Sequence, residues 1–146
     1  MTLDDNGSEV LDAATCRALL GTIRLGRVAL SSRALPIIVP VAYTYVGDEI
    51  LMSAASTLVR RAAYAGDVIC FEADAHDDGG ALWSVLVTGR LAIFARPGAA
   101  QATGVWTDPA VSELVSLQTA LVSGRRTTMP VGDRTASGPE IERSRT

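Results

Sequence analysis

The sequence predicts a mainly β protein, a small six-stranded antiparallel barrel with peripheral helices. Three observations predict it: six short strand-like runs, hairpin-type links between them, and only two segments whose apolar residues recur at helical spacing. A doubly wound parallel sheet would instead need a helix between most successive strands. The 146 residues suffice for one domain, since chains of about 150 residues bury roughly 68–70% of their unfolded surface.

Two helices are predicted in the first half of the chain. The first begins near Asp12 or Thr15, with Asp12 a suitable N-cap and apolar residues at helical spacing. The second covers residues 54–65, an alanine-rich segment with Ser56 or Thr57 near its start.

Alternating and β-branched residues predict the strands. The predicted strands are residues 27–31, 37–46, 49–53, 68–73, 82–94 and 114–122, with a hydrophilic loop at 74–80. Gly47 and Asp48 form a turn signal that makes a hairpin of the second and third strands. Pro36 and Pro40 place the second strand at an edge or a bulge, and Gly89 marks a bulge or a close backbone approach in the fifth.

Composition divides the chain into a folded domain and two tails. Residues 1–9 are polar and acidic and are predicted to be a flexible tail, and residues 10–126 form the domain. Residues 127–146 are rich in Gly, Pro, Ser, Thr and Arg and are predicted to be disordered. The acidic start does not resemble a signal peptide, and the longest apolar run, residues 35–46, is too short to span a bilayer. We therefore expect a cytoplasmic protein that does not enter a membrane.

Residue counts exclude several kinds of chemistry. All 13 basic residues are arginine, so no lysine can form a Schiff base or hold a phosphate. The single histidine, His76, excludes a multi-histidine metal site, and Cys16 and Cys70 lie too far apart for a zinc or disulfide motif. With 16 acidic residues the net charge is −3, which argues against nucleic-acid binding. We expect no metal.

The segment 53–61 carries the clearest chemical signal. It leaves a strand, enters a helix, and supplies hydroxyls, small residues and then Arg60 and Arg61. A helix start exposes free backbone N–H groups and the positive end of the helix dipole, so this segment can hold a phosphate. The alternative is an N-capped surface helix with solvated arginines.

Three further segments carry weaker signals. Trp83, at the start of a strand, can be a core residue, an interface residue or a platform for stacking. Residues 123–126, predicted to lie just after the last strand, carry two arginines that are either solvated or ligand-binding. The acidic residues around His76 form a poor ligand set for a metal.

The order and spacing of these segments resemble those of a known family. They are residues 25–29, 36–43, 48–61, 67–74, 83–90 and 123–126. Over residues 9–126 the chain resembles the pyridoxamine 5′-phosphate oxidase-like flavin-binding split-barrel family. The resemblance implies a six-stranded split barrel that forms a homodimer, with FMN, or the 8-hydroxy-5-deazaflavin cofactor in some branches, at the subunit interface.

The resemblance also implies which residues bind the cofactor. The strand at residues 40–44 lies along the isoalloxazine ring, the 53–60 loop holds the phosphate, and the start of the strand at residue 83 approaches the cofactor. The implied cofactor-binding residues are Pro40, Val41, Ser53, Ala54, Ser56, Thr57, Leu58, Val59, Arg60, Trp83 and Ser84. Many members have a lysine near the position of Val59, so either Arg60 substitutes for it or phosphate affinity is reduced.

The function implied is an FMN-dependent oxidoreductase acting on a small molecule. The alternatives are a deazaflavin-dependent reductase and a non-catalytic flavin-binding protein on the same fold. The flavin would carry the redox chemistry, so we name no catalytic acid or base. Tyr43 is either a proton donor or a packed aromatic residue. An exposed Trp83 and many apolar strand residues would leave surface for a homodimer.

Overall fold

The computed structural model of the chain describes residues 1–94 and 113–128. The elements in chain order are β1 (Thr2–Leu3), β2 (Glu9–Leu11), α1 (Ala13–Leu20), β3 (Leu25–Ser32), β4 (Leu35–Val46), β5 (Glu49–Ser53), α2 (Thr57–Ala65), β6 (Val68–His76), β7 (Leu82–Phe94), β8 (Leu114–Gln118) and β9 (Leu121–Thr127). Most of the predicted C-terminal tail, residues 129–146, lies outside the described residues.

Six of the strands close into an antiparallel barrel, which confirms the predicted fold class. The ring runs β7–β6–β3–β4–β5–β8, and pairing of β8 with the second half of β7 closes it. β9 pairs with the first half of β7, and β2 and β1 extend the sheet beyond β9. Every pairing in the described sheet is antiparallel, as hairpin links require.

β4 changes partners along its length. Its first part pairs with β3, from Leu35 opposite Ser32 to Ala42 opposite Leu25. Its last residues pair with β5 on the other edge, beginning with Tyr43 opposite Met52. The predicted hairpin is present, with positive φ values of 57° at Gly47 and 62° at Asp48, as a tight two-residue hairpin turn requires.

The last predicted strand, residues 114–122, is wrong in its extent. The chain forms two strands along the same edge of β7, and residues 118–120 lie opposite only Gly89 and Arg90, which is a bulge. A Cβ at Gly89 would lie 3.0 Å from the Leu117 side chain, so glycine accommodates this bulge. Residues 123–126 therefore lie inside β9 and not after the last strand.

Other boundaries also differ from the prediction: β3 and β4 each begin two residues earlier, and α2 begins at Thr57. Residues 74–76, predicted as loop, continue β6, and His76 pairs with Leu82. The turn that follows is held by Asp77, whose Oδ1 accepts hydrogen bonds from the amides of Gly79 and Ala81, each at 3.0 Å. Within residues 1–9, predicted as a flexible tail, β1 pairs with β2.

Both predicted helices are present, with caps of the expected chemistry. The Asp12 carboxylate accepts the amide of Thr15 at 2.7 Å, and Ser56 Oγ lies 3.5 Å from the amide of Val59. Gly66 ends α2 with a φ of +66°. The buried face of α2 consists of Val59, Ala62 and Ala63, which pack onto the barrel core.

The core fills the barrel interior. It contains the inward residues of every strand in the ring, among them Val28, Tyr43, Ile50, Phe71, Val85 and Leu117. Tyr43 and Phe71 pack edge to face, with ring centroids 4.9 Å apart. Phe71 also packs over Gly26, where a Cβ would overlap its ring. This aromatic pair lies beside the point where β4 changes partners.

Candidate functional site

The barrel is split along one edge of β4. Residues 35–42 bond β3 on one side, while their other edge has no strand beside it among the described residues. The split begins at Ser53, which pairs with Leu114 of β8 and no longer with β4. The Ala54 amide continues this course by bonding the Glu113 carbonyl at 3.2 Å. One end of the split is therefore the segment that leads into α2.

The free edge of β4 presents a defined set of backbone groups. The Tyr43 amide donates to the Arg24 carbonyl on the β3 side at 2.9 Å, so alternate residues before Tyr43 also bond β3. The residues between them turn their backbone groups toward the split. Pro36 and Pro40 fall on this register and offer carbonyls alone, whereas Ile38 offers both an N–H and a carbonyl.

The start of α2 follows directly after this end of the split. Ser53 Oγ is buried and has no hydrogen-bond partner among the described residues, an arrangement that costs free energy unless another group bonds it. The first amides of a helix also lack acceptors inside the helix. Ser56 and Thr57 stand at this start, and Arg60 follows one turn later. Hydroxyls, amides and a guanidinium together fit an anionic group such as a phosphate.

The two arginines of α2 point to different flanks, since successive helical residues are about 100° apart. Arg60 shares its flank with Tyr64, whose hydroxyl bonds the Glu113 carboxylate at 2.6 Å. Arg61 lies with Leu58 and Ala65 on the flank that faces the β3–β4 turn. Neither arginine forms an ion pair with a described carboxylate.

The structure brings only part of the predicted set to the surface of the split. Ala54 and Val59 are fully buried, and Trp83 is 2% exposed, so their side chains belong to the core. Val41 also points inward. Pro40, on the outer face of β4, lies opposite Arg27. Ser84, at the other end of the sheet, pairs with Arg125 of β9 and with Asp74 of β6.

Tyr43 is a structural residue in this arrangement. It is buried, and its hydroxyl donates to the Leu20 carbonyl at 2.7 Å. Burial raises the pKa of the Tyr43 phenol well above its ordinary value. Of the two interpretations of Tyr43, the packed aromatic residue agrees with the structure and the proton donor does not.

The two arginines within residues 123–126 form ion pairs with carboxylates. Arg125 pairs with Asp4 at 2.9 Å. Arg126 lies 3.3 Å from Glu9 and 3.3 Å from Asp77, the latter an ion pair without hydrogen-bond geometry. Both arginines thus tie the N-terminal strands and the β6–β7 turn to β9. Among the described residues, no group of three or more His, Cys, Asp or Glu side chains is placed to hold a metal.

A large surface groove lies on the outer face of the sheet beside the split. It has a volume of about 880 Å³. One row of paired residues, Ile38, Ala29, Cys70 and Thr88, crosses it from β4 to β7. Ile38 is 68% exposed, and the outer face also exposes Leu25, Val68 and Leu86. Arg27 lies on the same face and pairs with Glu72 and Asp74, so the exposed apolar residues surround a charged cluster.

Comparison with known proteins identifies the family. The sequence profile described as pyridoxamine 5′-phosphate oxidase matches residues 12–126. The chain belongs to the pyridoxamine 5′-phosphate oxidase family. A relative in Mycobacterium tuberculosis, the uncharacterized protein Rv0080, is 31% identical over 126 residues, which cover 80% of this chain and 83% of the relative.

Solved structures of the family share the split-barrel fold. An FAD-binding protein from Mycobacterium smegmatis has 24% identity and a TM-score of 0.64, covering 83% of this chain and 99% of that one. A putative pyridoxamine 5′-phosphate oxidase from Corynebacterium glutamicum has 23% identity and a TM-score of 0.66, covering 87% and 98%. Within the described part of the chain, neither helix has the length and apolarity to cross a membrane.

Sequence reasoning missed two components of the site. The backbone edge at Ile38 has no signature of its own, although the prolines that flank it gave the edge position. The separation of Arg60 from Arg61 depends on how α2 is rotated against the barrel. The helical period shows that Arg60 and Arg61 lie on different flanks. Which flank faces the β3–β4 turn is known only from the structure.

Proposed function

We propose that this protein binds FMN in the split of the barrel and acts as an FMN-dependent oxidoreductase on a small molecule. The observation that carries the proposal is that a free strand edge and a helix start suited to an anion occur together in a chain of this family. The names of the solved relatives that bind FAD support a flavin nucleotide as the cofactor class.

The two walls of the split have complementary roles in this proposal. Ser53, Thr57 and Arg60, with the first amides of α2, would hold the phosphate through charge-assisted hydrogen bonds. The Ser56 hydroxyl, which accepts the Val59 amide as a cap, can still donate its own proton. The free edge of β4 would bond the polar rim of the isoalloxazine ring through the N–H of Ile38 and the neighbouring carbonyls.

When bound, the flavin would supply the electron-accepting and electron-donating chemistry. The protein would orient the ring and exclude water with the apolar residues of β4. Residues 36–42 contain no titratable side chain. This absence favours a second candidate function, a non-catalytic flavin-binding protein. A deazaflavin-dependent reductase uses the same groups and is the remaining alternative.

We also propose a homodimer formed through the outer face of the sheet. The exposed apolar residues of that face support it, since covering them would remove apolar surface from water. The support differs from the sequence-based expectation, because Trp83 is buried and does not contribute. A two-fold axis on this face would bring a second copy to the exposed side of β4, beside Pro36 and Pro40.

The test is a titration of the purified protein, freed of bound cofactor, with riboflavin, FMN, FAD and the 8-hydroxy-5-deazaflavin cofactor. We expect a spectral shift and saturable binding with FMN, and weaker binding of riboflavin, which lacks the phosphate. Steady oxidation of the reduced cofactor by an electron acceptor would favour the enzyme over the non-catalytic protein. If none of the four ligands binds, the cofactor proposal is wrong.

A further inference from the structure

A second cationic pocket lies on the other flank of α2. It has a volume of about 230 Å³ and is walled by the end of β3, the β3–β4 turn and the outer flank of the helix. Its lining residues are Ser31, Ser32, Arg33, Leu58, Arg61, Ala62, Ala65 and Asp67. Pockets for whole drug-sized ligands measure about 300–1,000 Å³, so this one fits a single chemical group.

Arg33 stands at a backbone position that arginine rarely takes. The β3–β4 turn has φ values of +50° at Arg33 and +63° at Ala34, where Asn and Gly are the usual residues. A side chain with a Cβ costs free energy in this conformation. Strained backbone of this kind concentrates at binding and catalytic sites. The turn thus holds a guanidinium in the pocket wall at a cost in local stability.

The pocket is electropositive. Arg33 and Arg61 line it from opposite walls, and neither forms an ion pair or hydrogen bond among the described residues. Asp67 supplies the only carboxylate among the lining residues, and it pairs with neither arginine. Its backbone is already bound, since its amide donates to Ala62 at 2.9 Å and its carbonyl accepts from Leu91 at 3.1 Å. Two hydroxyls, Ser31 and Ser32, add donors to the same walls.

We propose that Arg33 and Arg61 bind a phosphoryl group, separately from the phosphate held at the start of α2. Two guanidiniums and two hydroxyls are the donors that a phosphoryl group requires. The group comes either from the cofactor, as the second phosphate of FAD, or from a phosphorylated substrate. The first source rests on the proposed flavin site and would make FAD, and not FMN, the flavin bound there. The second requires only that an anion reaches the pocket, whose lining includes Leu58 of the first turn of α2.

The experiment uses one double variant and one control. R33N/R61A removes both guanidiniums, and asparagine at position 33 suits the positive φ, so the variant should fold at least as well at the turn. R24A is the control, because Arg24 is exposed, forms no ion pair with a described carboxylate and lies before β3, away from the pocket. Affinities for FMN, FAD and inorganic pyrophosphate are measured by titration calorimetry, and unfolding is followed in parallel.

If the cofactor is the source, the wild type binds FAD at least 10-fold more tightly than FMN, and R33N/R61A brings the two affinities together. If a substrate is the source, pyrophosphate binds the FMN-loaded wild type and its affinity falls at least 10-fold in the double variant. R24A should match the wild type in both arms. Equal behaviour of R33N/R61A and the wild type in both arms overturns the inference. A wild type that binds no flavin refutes only the proposed function. In that case, pyrophosphate binding to the protein as purified shows whether Arg33 and Arg61 bind a phosphoryl group.

Discussion

Replacing Gly26 with alanine should destabilise the barrel strongly. An ideal Cβ at this position would overlap the ring of Phe71 and lie 2.9 Å from the Glu72 carbonyl oxygen. The ring alone could rotate, but it packs against Tyr43, and the carbonyl belongs to the backbone of β6. Both neighbours must move together, so the substitution cannot be accommodated by one side chain.

The size of the effect follows from these contacts. Overpacking a filled core costs about 1–3 kcal/mol, and the backbone contact places Gly26→Ala at about 3 kcal/mol. Alanine also lowers the entropy of the unfolded chain, which offsets about 0.4–1 kcal/mol of this loss in stability. An unfolding entropy of about 2.1 cal/mol/K per residue amounts to about 0.3 kcal/mol/K for this chain, so Tm should fall by about 8 °C.

Urea unfolding followed by circular dichroism measures this loss, and Gly21→Ala is the matched control. Gly21 has a φ of −75°, and its Cβ would meet Ala18 O at 3.5 Å and Tyr45 at 3.8 Å, which are ordinary contacts. The control should therefore be neutral or stabilised by about 0.4–1 kcal/mol. A Gly26→Ala protein within about 0.5 kcal/mol of wild type, a range typical of surface substitutions, would refute the packing argument.

Three further outcomes are expected. Tyr43→Phe leaves the Leu20 carbonyl without its donor and should cost about 1–2 kcal/mol at pH 7. Because burial raises the pKa of Tyr43, the stability that its neutral phenol contributes is present below about pH 10 and is lost at higher pH. Urea unfolding should therefore show a smaller loss of stability with rising alkaline pH in the variant than in the wild type. An equal loss in both proteins would contradict this. Arg60→Ala should weaken FMN binding by about 1.5–3 kcal/mol and leave riboflavin binding unchanged; an unchanged FMN dissociation constant would remove Arg60 from the phosphate site. Ile38→Asp should convert the proposed dimer to a folded monomer in light scattering, and a wild type that is already monomeric at micromolar concentration would rule the dimer out.

Local chemistry explains where sequence-based prediction succeeded. The bounds of β7 were predicted as observed, because its residues alternate between core and surface over the whole length. The cap Asp12, and Ser56 as one of two alternatives for the second helix, were predicted for the same kind of reason, since both act on amides only three residues away.

Tertiary contacts explain where it failed. The break between β8 and β9 carries none of the usual turn residues, and Thr119 is held instead by the β4–β5 turn. Its amide and hydroxyl both donate to the Asp48 carbonyl, at 3.1 and 2.7 Å. No sequence pattern around Thr119 predicts a hydrogen bond to a residue 71 positions away. For the same reason the sequence analysis did not single out Arg33, whose role depends on a turn with atypical residues.

The prolines of β4 also disfavour aggregation through the free strand edge. An unpaired strand edge is a template on which another polypeptide can add a strand, the first step of many aggregates. Pro36 and Pro40 remove N–H groups at two of the positions that such a strand would need, leaving Ile38 as the donor between them. The edge can therefore serve a small planar molecule, which needs few bonds, while it disfavours the continuous ladder of an incoming chain.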